Sequence, residues 1–170
     1  MNVAIILGRG GSKRIPKKNI KSFHGKPIIA YSIEVAKETA LFDKIIVSTD
    51  SDEIALIAKQ YGAEVPFVRP KEISDDYTPT APVIVHALDW LRNNSIEPSF
   101  VCCIYATAPF LRAEYLEKGF HLIKNEKCKS SFGITSYASP VERSLTLTEQ
   151  GYIRMVYPEH ELTRSQDLPD

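Results

Sequence analysis

The feature that most constrains the fold is the junction at the start of the chain. Val3-Ala4-Ile5-Ile6-Leu7 is apolar at every position and runs straight into Gly8-Arg9-Gly10-Gly11-Ser12-Lys13-Arg14. A strand exposed on one face alternates apolar and polar residues, whereas an unbroken apolar run is the pattern of a strand covered on both faces. Such a strand needs helices on both sides of a sheet, which makes the chain α/β with a mostly parallel sheet.

The rest of the chain continues strand, helix, strand, helix. Pro27 suits the first turn of a helix reaching about Leu41, with Ile29, Ile33, Ala36 and Ala40 near helical spacing. Asp43 to Ser48 reads as a second strand. Asp50 reads as an N-cap with Glu53 completing a capping box, and Gly62 ends the helix that follows. Glu64 to Val68 reads as a short third strand, Val83 to Leu91 as a helix and Ser99 to Ile104 as a fourth, buried strand. A helix over Glu114 to Asn125 and a fifth strand over Ser130 to Thr135 complete a core of residues 1–138. From Ser139 the sequence becomes more polar. Ser144 to Thr148 and Gly151 to Val156 form a hairpin pattern, so 139–170 reads as an arm.

Composition narrows the function. The chain's 170 residues fit one domain, and 21 Lys+Arg balance 21 Asp+Glu. This excludes the global basic field expected of a nucleic-acid binder, and no apolar run has the length of a membrane helix. Three cysteines, two of them adjacent, make no disulfide framework, and no signal-peptide pattern opens the chain, so a cytoplasmic location is expected. Cys102 and Cys103 read as buried thiols, and the four histidines show no ligand spacing.

The strongest chemical signal is the glycine-rich basic loop. Gly8, Gly10 and Gly11 let backbone N–H groups approach phosphates, and Ser12 adds a hydroxyl. Arg9, Lys13, Arg14, Lys17 and Lys18 can neutralise a triphosphate. The loop is not a P-loop, because Lys13 precedes Arg14 rather than Ser or Thr. It is not a dinucleotide fingerprint, because Lys13 stands where the third glycine belongs. It does sit at the carboxyl end of the first strand, where open α/β sheets bind ligands.

Ile5-Ile6-x-x-Arg9-Gly10-Gly11-Ser12-Lys13-Arg14-Ile15-Pro16-x-Lys18-Asn19 resembles the signature of the CMP-sialic acid synthetase group, cytidylyltransferases that activate nine-carbon α-keto acid sugars. The likeness continues through Phe42 to Asp50 and through Arg69-Pro70-x-Glu72-Ile73-x-x-Asp76-x-Thr78. Within the group, Cys102 to Leu111 and Arg164 to Pro169 are similar to the pseudaminic acid branch. KDO enzymes usually read Lys-Pro-Leu where this chain has Lys18-Asn19-Ile20. Two departures stand out. Leu7-Gly8 replaces the family's usual Pro-Ala, which makes the start of the loop more flexible. The family also normally continues well past Asp170 into a segment with metal-binding carboxylates. A truncated chain that binds CTP with feeble turnover is therefore expected.

The resemblance implies a Rossmann-like nucleotide-diphospho-sugar transferase fold and transfer of CMP from CTP to pseudaminic acid, with Mg²⁺ and with pyrophosphate released, for bacterial surface-glycan or flagellin glycosylation. CMP-sialic acid and CMP-KDO synthesis are alternatives within the class; a nucleotide-binding, dimerising remnant without turnover is an alternative outside it. Arg9 and Lys13 suit the phosphates that leave, Lys18 the α-phosphate, and Asn19 the edge of cytosine. Arg69 is placed near the base by the resemblance, or is an ordinary surface-loop arginine. Thr78 and Thr80 serve the ribose or simply shape a turn around Pro79. Asp76 serves either the nucleotide or its own loop, and Asp50 reads as a helix cap in preference to a metal ligand. Tyr105 and Thr107 fall in the sugar region or at a packed rim. Arg143 and Arg164, on the arm, are candidates for the sugar carboxylate, and the arm is expected to reach a second subunit in a homodimer. No metal ligands can be assigned.

Overall fold

The structure is a computed structural model that describes residues 1–126 and 128–169. Its centre is β1 (Asn2–Leu7), which pairs in parallel with β4 (Lys44–Ser48) on one edge and β5 (Phe100–Tyr105) on the other. Between β1 and β4 lie a two-residue-per-strand hairpin, β2 (Ser22–Phe23) and β3 (Lys26–Pro27), and helix α1 (Ile28–Glu38). Helices α2 (Asp52–Gln60) and α3 (Thr80–Asn93) fill the stretch from β4 to β5, and α4 (Ala113–Glu126) follows β5.

The two faces of β1 bury different partners. Ala4 and Ile6 pack with Ile29 and Ile33 of α1, Ile54 and Ala58 of α2, and Ile104. Val3 and Ile5 pack with Ile46 and with Ala87 and Leu91 of α3. Val3 through Ile6 are all fully buried, which is the three-layer α/β arrangement that the unbroken apolar run demands.

Several boundaries differ from the sequence expectation, each for a physical reason. The expected third strand is a single bridge from Glu64 to Ile46. Pro66 has no N–H to extend a ladder, so pairing stops there. The fourth strand is not buried throughout. β5 is hydrogen-bonded to β1 alone among the described residues, and Val101, Cys103 and Tyr105 are exposed while Ile104 is buried. No strand forms over 130–135, where Phe132 and Ile134 are 82% and 86% exposed. Pro27 precedes α1 in an extended conformation instead of entering its first turn. The small β2–β3 hairpin has no expected counterpart. His24 and Gly25 both have positive φ, 43° and 87°, as a tight primed hairpin turn requires.

Gly62, at φ 92°, closes α2, with its N–H on the carbonyl of Lys59 and the Ala63 N–H on that of Ala58. The start of α2 is capped by Ser51, not by Asp50: the Ser51 hydroxyl accepts from the Ile54 N–H. Asp50 is one residue too early and has a different partner, described below.

The chain divides into two compact units, Met1–Ser131 and Phe132–Asp170. The second contains the antiparallel pair β6 (Leu145–Leu147) and β7 (Ile153–Met155), joined through Gly151 at φ 82°. No helix among the described residues is long and apolar enough to cross a membrane.

Replacing Ser51 by Ala removes the α2 cap and should lower stability by about 1 kcal/mol. Urea unfolding with an unchanged slope and a lower midpoint is the expected result.

Candidate functional site

Register sets the site. Leu7 lies opposite both Ser48 and Tyr105, so three strand ends finish side by side at the carboxyl edge of the sheet. The glycine-rich loop leaves from the middle one. Gly8 is held at once, its N–H on the Ser48 carbonyl at 3.1 Å. A Cβ there would lie 3.3 Å from Ile29 Cδ1 and 3.7 Å from Ala106, so this start of the loop is packed in place instead of loose. Gly10 donates its N–H to Asp50 Oδ1 at 2.8 Å, and a Cβ on it would stand 3.0 Å from Ser51 Cβ. Glycine is needed here for close approach to the β4–α2 turn. The Ser12 N–H reaches back to the Gly10 carbonyl, and buried Asn19 donates its amide to the Arg9 carbonyl at 2.8 Å. Asn19 thus supports the loop from within, whatever else it contacts. Lys17, at φ 52°, turns the chain into a short 3₁₀ turn that begins at Lys18.

The loop's cations converge on a carboxylate. Arg9 bonds the Gly11 carbonyl through Nη1 and Asp76 Oδ1 through Nη2, while Lys13 Nζ lies 2.6 Å from Asp76 Oδ2. The Lys13 ammonium and the Arg9 guanidinium hold the Asp76 carboxyl below the usual carboxylate range. Asp75, beside it, spends one oxygen on the Tyr77 N–H, the Thr78 N–H and the Thr78 hydroxyl. Those donors, Thr78's hydroxyl foremost, also lower its pKa. Thr78 therefore builds the turn.

Arg69 is not a surface arginine. It is 4% exposed, with Nε on the Ser48 hydroxyl at 3.0 Å and Nη2 on the Ser48 carbonyl. Burial lowers its pKa and the nearby Asp50 opposes that shift. Asp50 therefore faces two demands: it fixes Gly10 and it balances a buried guanidinium. Its sequence signal was masked by the stronger capping pattern.

On the other side of the loop, Tyr105 ends β5. Its carbonyl accepts from the fully buried Ser32 hydroxyl at 2.8 Å, and its phenol oxygen is 3.0 Å from the Thr80 hydroxyl at the start of α3. Thr107 lies in the loop after β5, half-buried. Arg143 and Arg164 belong to the second unit. Arg143 donates to the carbonyls of His160, Glu161 and Thr163, and Arg164 is paired with Asp167 at 2.7 Å. A cavity of 530 Å³ lies away from the glycine loop, against α1 and the segment before α4. Glu34, Glu38 and Glu114 line it against a single cation, Arg112, which ill suits a polyphosphate. Among the described residues no three His, Cys, Asp or Glu side chains are grouped to hold a metal ion.

The family model described as cytidylyltransferase matches residues 3–159. The chain belongs to the cytidylyltransferase family. It is 42% identical over 98% of its length to a pseudaminic acid cytidylyltransferase of Campylobacter jejuni and spans 72% of that protein. It is 37% identical, again over 98% of its length, to a Helicobacter pylori protein named pseudaminic acid cytidylyltransferase and UDP-2,4-diacetamido-2,4,6-trideoxy-beta-L-altropyranose hydrolase, of which it spans 32%. Among solved structures it resembles a CMP:2-keto-3-deoxy-manno-octonic acid synthetase complexed with CTP, with a TM-score of 0.62 and 20% identity over 75% of this chain and 48% of that one. That likeness establishes the fold alone, an α/β domain around a parallel sheet.

The two loop glycines should respond differently to a methyl group. Gly8→Ala comes tightest against a flexible Ile29 methyl, with Ile54 and Ala106 at ordinary contact distance, and should change stability by less than about 1 kcal/mol. Gly10→Ala presses on Ser51 Cβ and should cost about 1–3 kcal/mol or shift the loop, visible as a lower melting temperature and weaker nucleotide binding.

The adjacent cysteines also make a prediction. Burial pushes the Cys102 thiol up to about 11 and raises Cys103 as well. Both are neutral thiols near neutral pH. Iodoacetamide should therefore label exposed Cys128 first and Cys102 last, as read by mass spectrometry.

Proposed function

We propose that the chain binds CTP on the glycine-rich loop and transfers its cytidylyl group to pseudaminic acid, giving CMP-pseudaminic acid and pyrophosphate. The observation that carries this reading is the convergence of Arg9 and Lys13 on one anionic group at the carboxyl end of β1, with the loop backbone pinned beneath them. The names of the Campylobacter and Helicobacter relatives support the choice of sugar.

In the reaction the anomeric oxygen of the sugar acid attacks the α-phosphorus. A new P–O bond forms, the bond to the β-phosphate oxygen breaks, and the electron pair leaves with pyrophosphate, while the anomeric proton passes to solvent. Such displacement depends on positioning and on charge stabilisation. Arg9 and Lys13 hold the leaving phosphates and Lys18 holds the α-phosphate side. Asn19 offers its amide oxygen to the exocyclic amine of cytosine, where uracil would present a second acceptor. Buried Arg69 fixes the floor of the site through Ser48. Thr80 and Tyr105, already hydrogen-bonded, form the acceptor side with Thr107. Mg²⁺ would enter with the nucleotide and supply charge neutralisation at its phosphates. The described residues offer it no ligand cluster, so no step is assigned to a protein-bound ion. A cytoplasmic homodimer that supplies activated sugar for surface glycosylation remains part of this proposal.

The test is pyrophosphate release from CTP and Mg²⁺ with pseudaminic acid, sialic acid and KDO in parallel. Pyrophosphate should appear slowly with pseudaminic acid and more slowly still with the others. Arg9→Ala and Lys13→Ala should each weaken CTP binding by roughly 1.5–3 kcal/mol, about ten- to a hundredfold. CTP affinity left intact in both variants would overturn the loop assignment.

A further inference from the structure

We propose that Asp76 is a resident counter-ion of the phosphate cradle: it pairs with Arg9 and Lys13, yields them to the β- and γ-phosphates of the nucleotide, and takes them back as pyrophosphate leaves. The inference rests on the reading of Arg9 and Lys13 as the cations that face the leaving phosphates.

The geometry separates Asp76 from its neighbour. Asp75 alone shapes the turn, through Tyr77 and Thr78. Asp76 makes no such contact; one oxygen goes to Arg9 and the other to Lys13. Its side chain is 24% exposed and Lys13's is 81% exposed, so the pair sits at the mouth of the site, where a polyphosphate can replace it. A nucleotide polyphosphate brings several negative charges against one carboxylate. It wins the exchange, but its apparent affinity is reduced by the fraction of time that Asp76 holds the cations. The same competition works in reverse on the product. Pyrophosphate held by Arg9 and Lys13 is opposed by a carboxylate tethered beside it at high effective concentration. Asp76 therefore acts through Arg9 and Lys13 as a positioning residue that favours release over tight product binding.

CMP supplies the control, because its single α-phosphate falls on the Lys18 side and need not displace Asp76. Binding of pyrophosphate and of CMP is measured by calorimetry for the wild-type chain, for Asp76→Asn and for Asp76→Ser. Both substitutions should tighten pyrophosphate about tenfold and leave CMP within about twofold. In turnover assays, pyrophosphate should become a stronger product inhibitor by a similar factor. Two variants of different size guard against a local packing artefact, and melting curves check that each remains folded. Unchanged or weaker pyrophosphate binding in the folded variant would overturn the proposal, as would equal tightening of CMP, which a simple loss of negative charge would produce. Pyrophosphate that binds no variant, with Arg9→Ala indistinguishable from wild type in CTP binding, would instead show that the cradle itself is misassigned.

Discussion

The double ladder of β1 is the constraint on which the remaining structure depends. Because β1 is paired on both edges, neither edge can move without breaking hydrogen bonds, and Leu7 is locked between Ser48 and Tyr105. Three segments of the candidate site leave from those positions. The glycine-rich loop starts after Leu7, Asp50 and Ser51 follow Ser48, and Thr107 follows Tyr105. The loop is then fastened sideways by the Gly8 and Gly10 amides, so its backbone is fixed before any ligand arrives. Preorganisation of this kind matters because the chemistry asks the protein for placement more than for bond-making.

Charge in this protein is balanced locally. The chain has no formal net charge, yet Arg9, Lys13 and buried Arg69 cluster at one sheet edge. Asp50 and Asp76 answer them in different ways. Asp50 is bound to a backbone amide and lies near a guanidinium that has almost no access to water, so it is part of the scaffold. Removing either partner of such a buried arrangement leaves the other uncompensated. Asp76 faces Arg9, whose side chain is 29% exposed, and Lys13, at 81%, so it pairs with cations that reach solvent. The same residue type thus serves permanence at one position and turnover at the other, and burial decides which.

Much of this was legible in the sequence, and the failures have physical causes. The apolar run of β1 announced burial on both faces because period and composition agree there. The glycine loop was legible because small residues and cations have few other reasons to share the end of a buried strand. The bridge at Glu64 looked like a strand because Val65, Phe67 and Val68 favour one, but Pro66 withdraws the donor a ladder needs. Residues 130–135 had strand composition without a paired neighbour, and propensity cannot supply one. Asp50 and Ser51 both have capping chemistry, and only the helix phase assigns the cap to Ser51. The burial of Arg69 was illegible, since nothing local to Val68-Arg69-Pro70 reveals that Ser48 will accept its guanidinium.

The arginines of the second unit extend the contrast between fixed and exchangeable charge. Arg143 is enclosed by the carbonyls of His160, Glu161 and Thr163 and organises that turn. Using it for a substrate carboxylate would strip three backbone acceptors of their donor. Arg164 is 71% exposed and its only ion pair, among the described residues, is with Asp167 three positions on. An exposed pair of this type is worth about 0–1 kcal/mol. Of these two arginines, Arg143 is therefore committed to its own backbone and Arg164 is held only by an exposed pair. Like Arg9 and Lys13, it is paired with a carboxylate of the same chain, whereas Arg143 spends its guanidinium on backbone carbonyls.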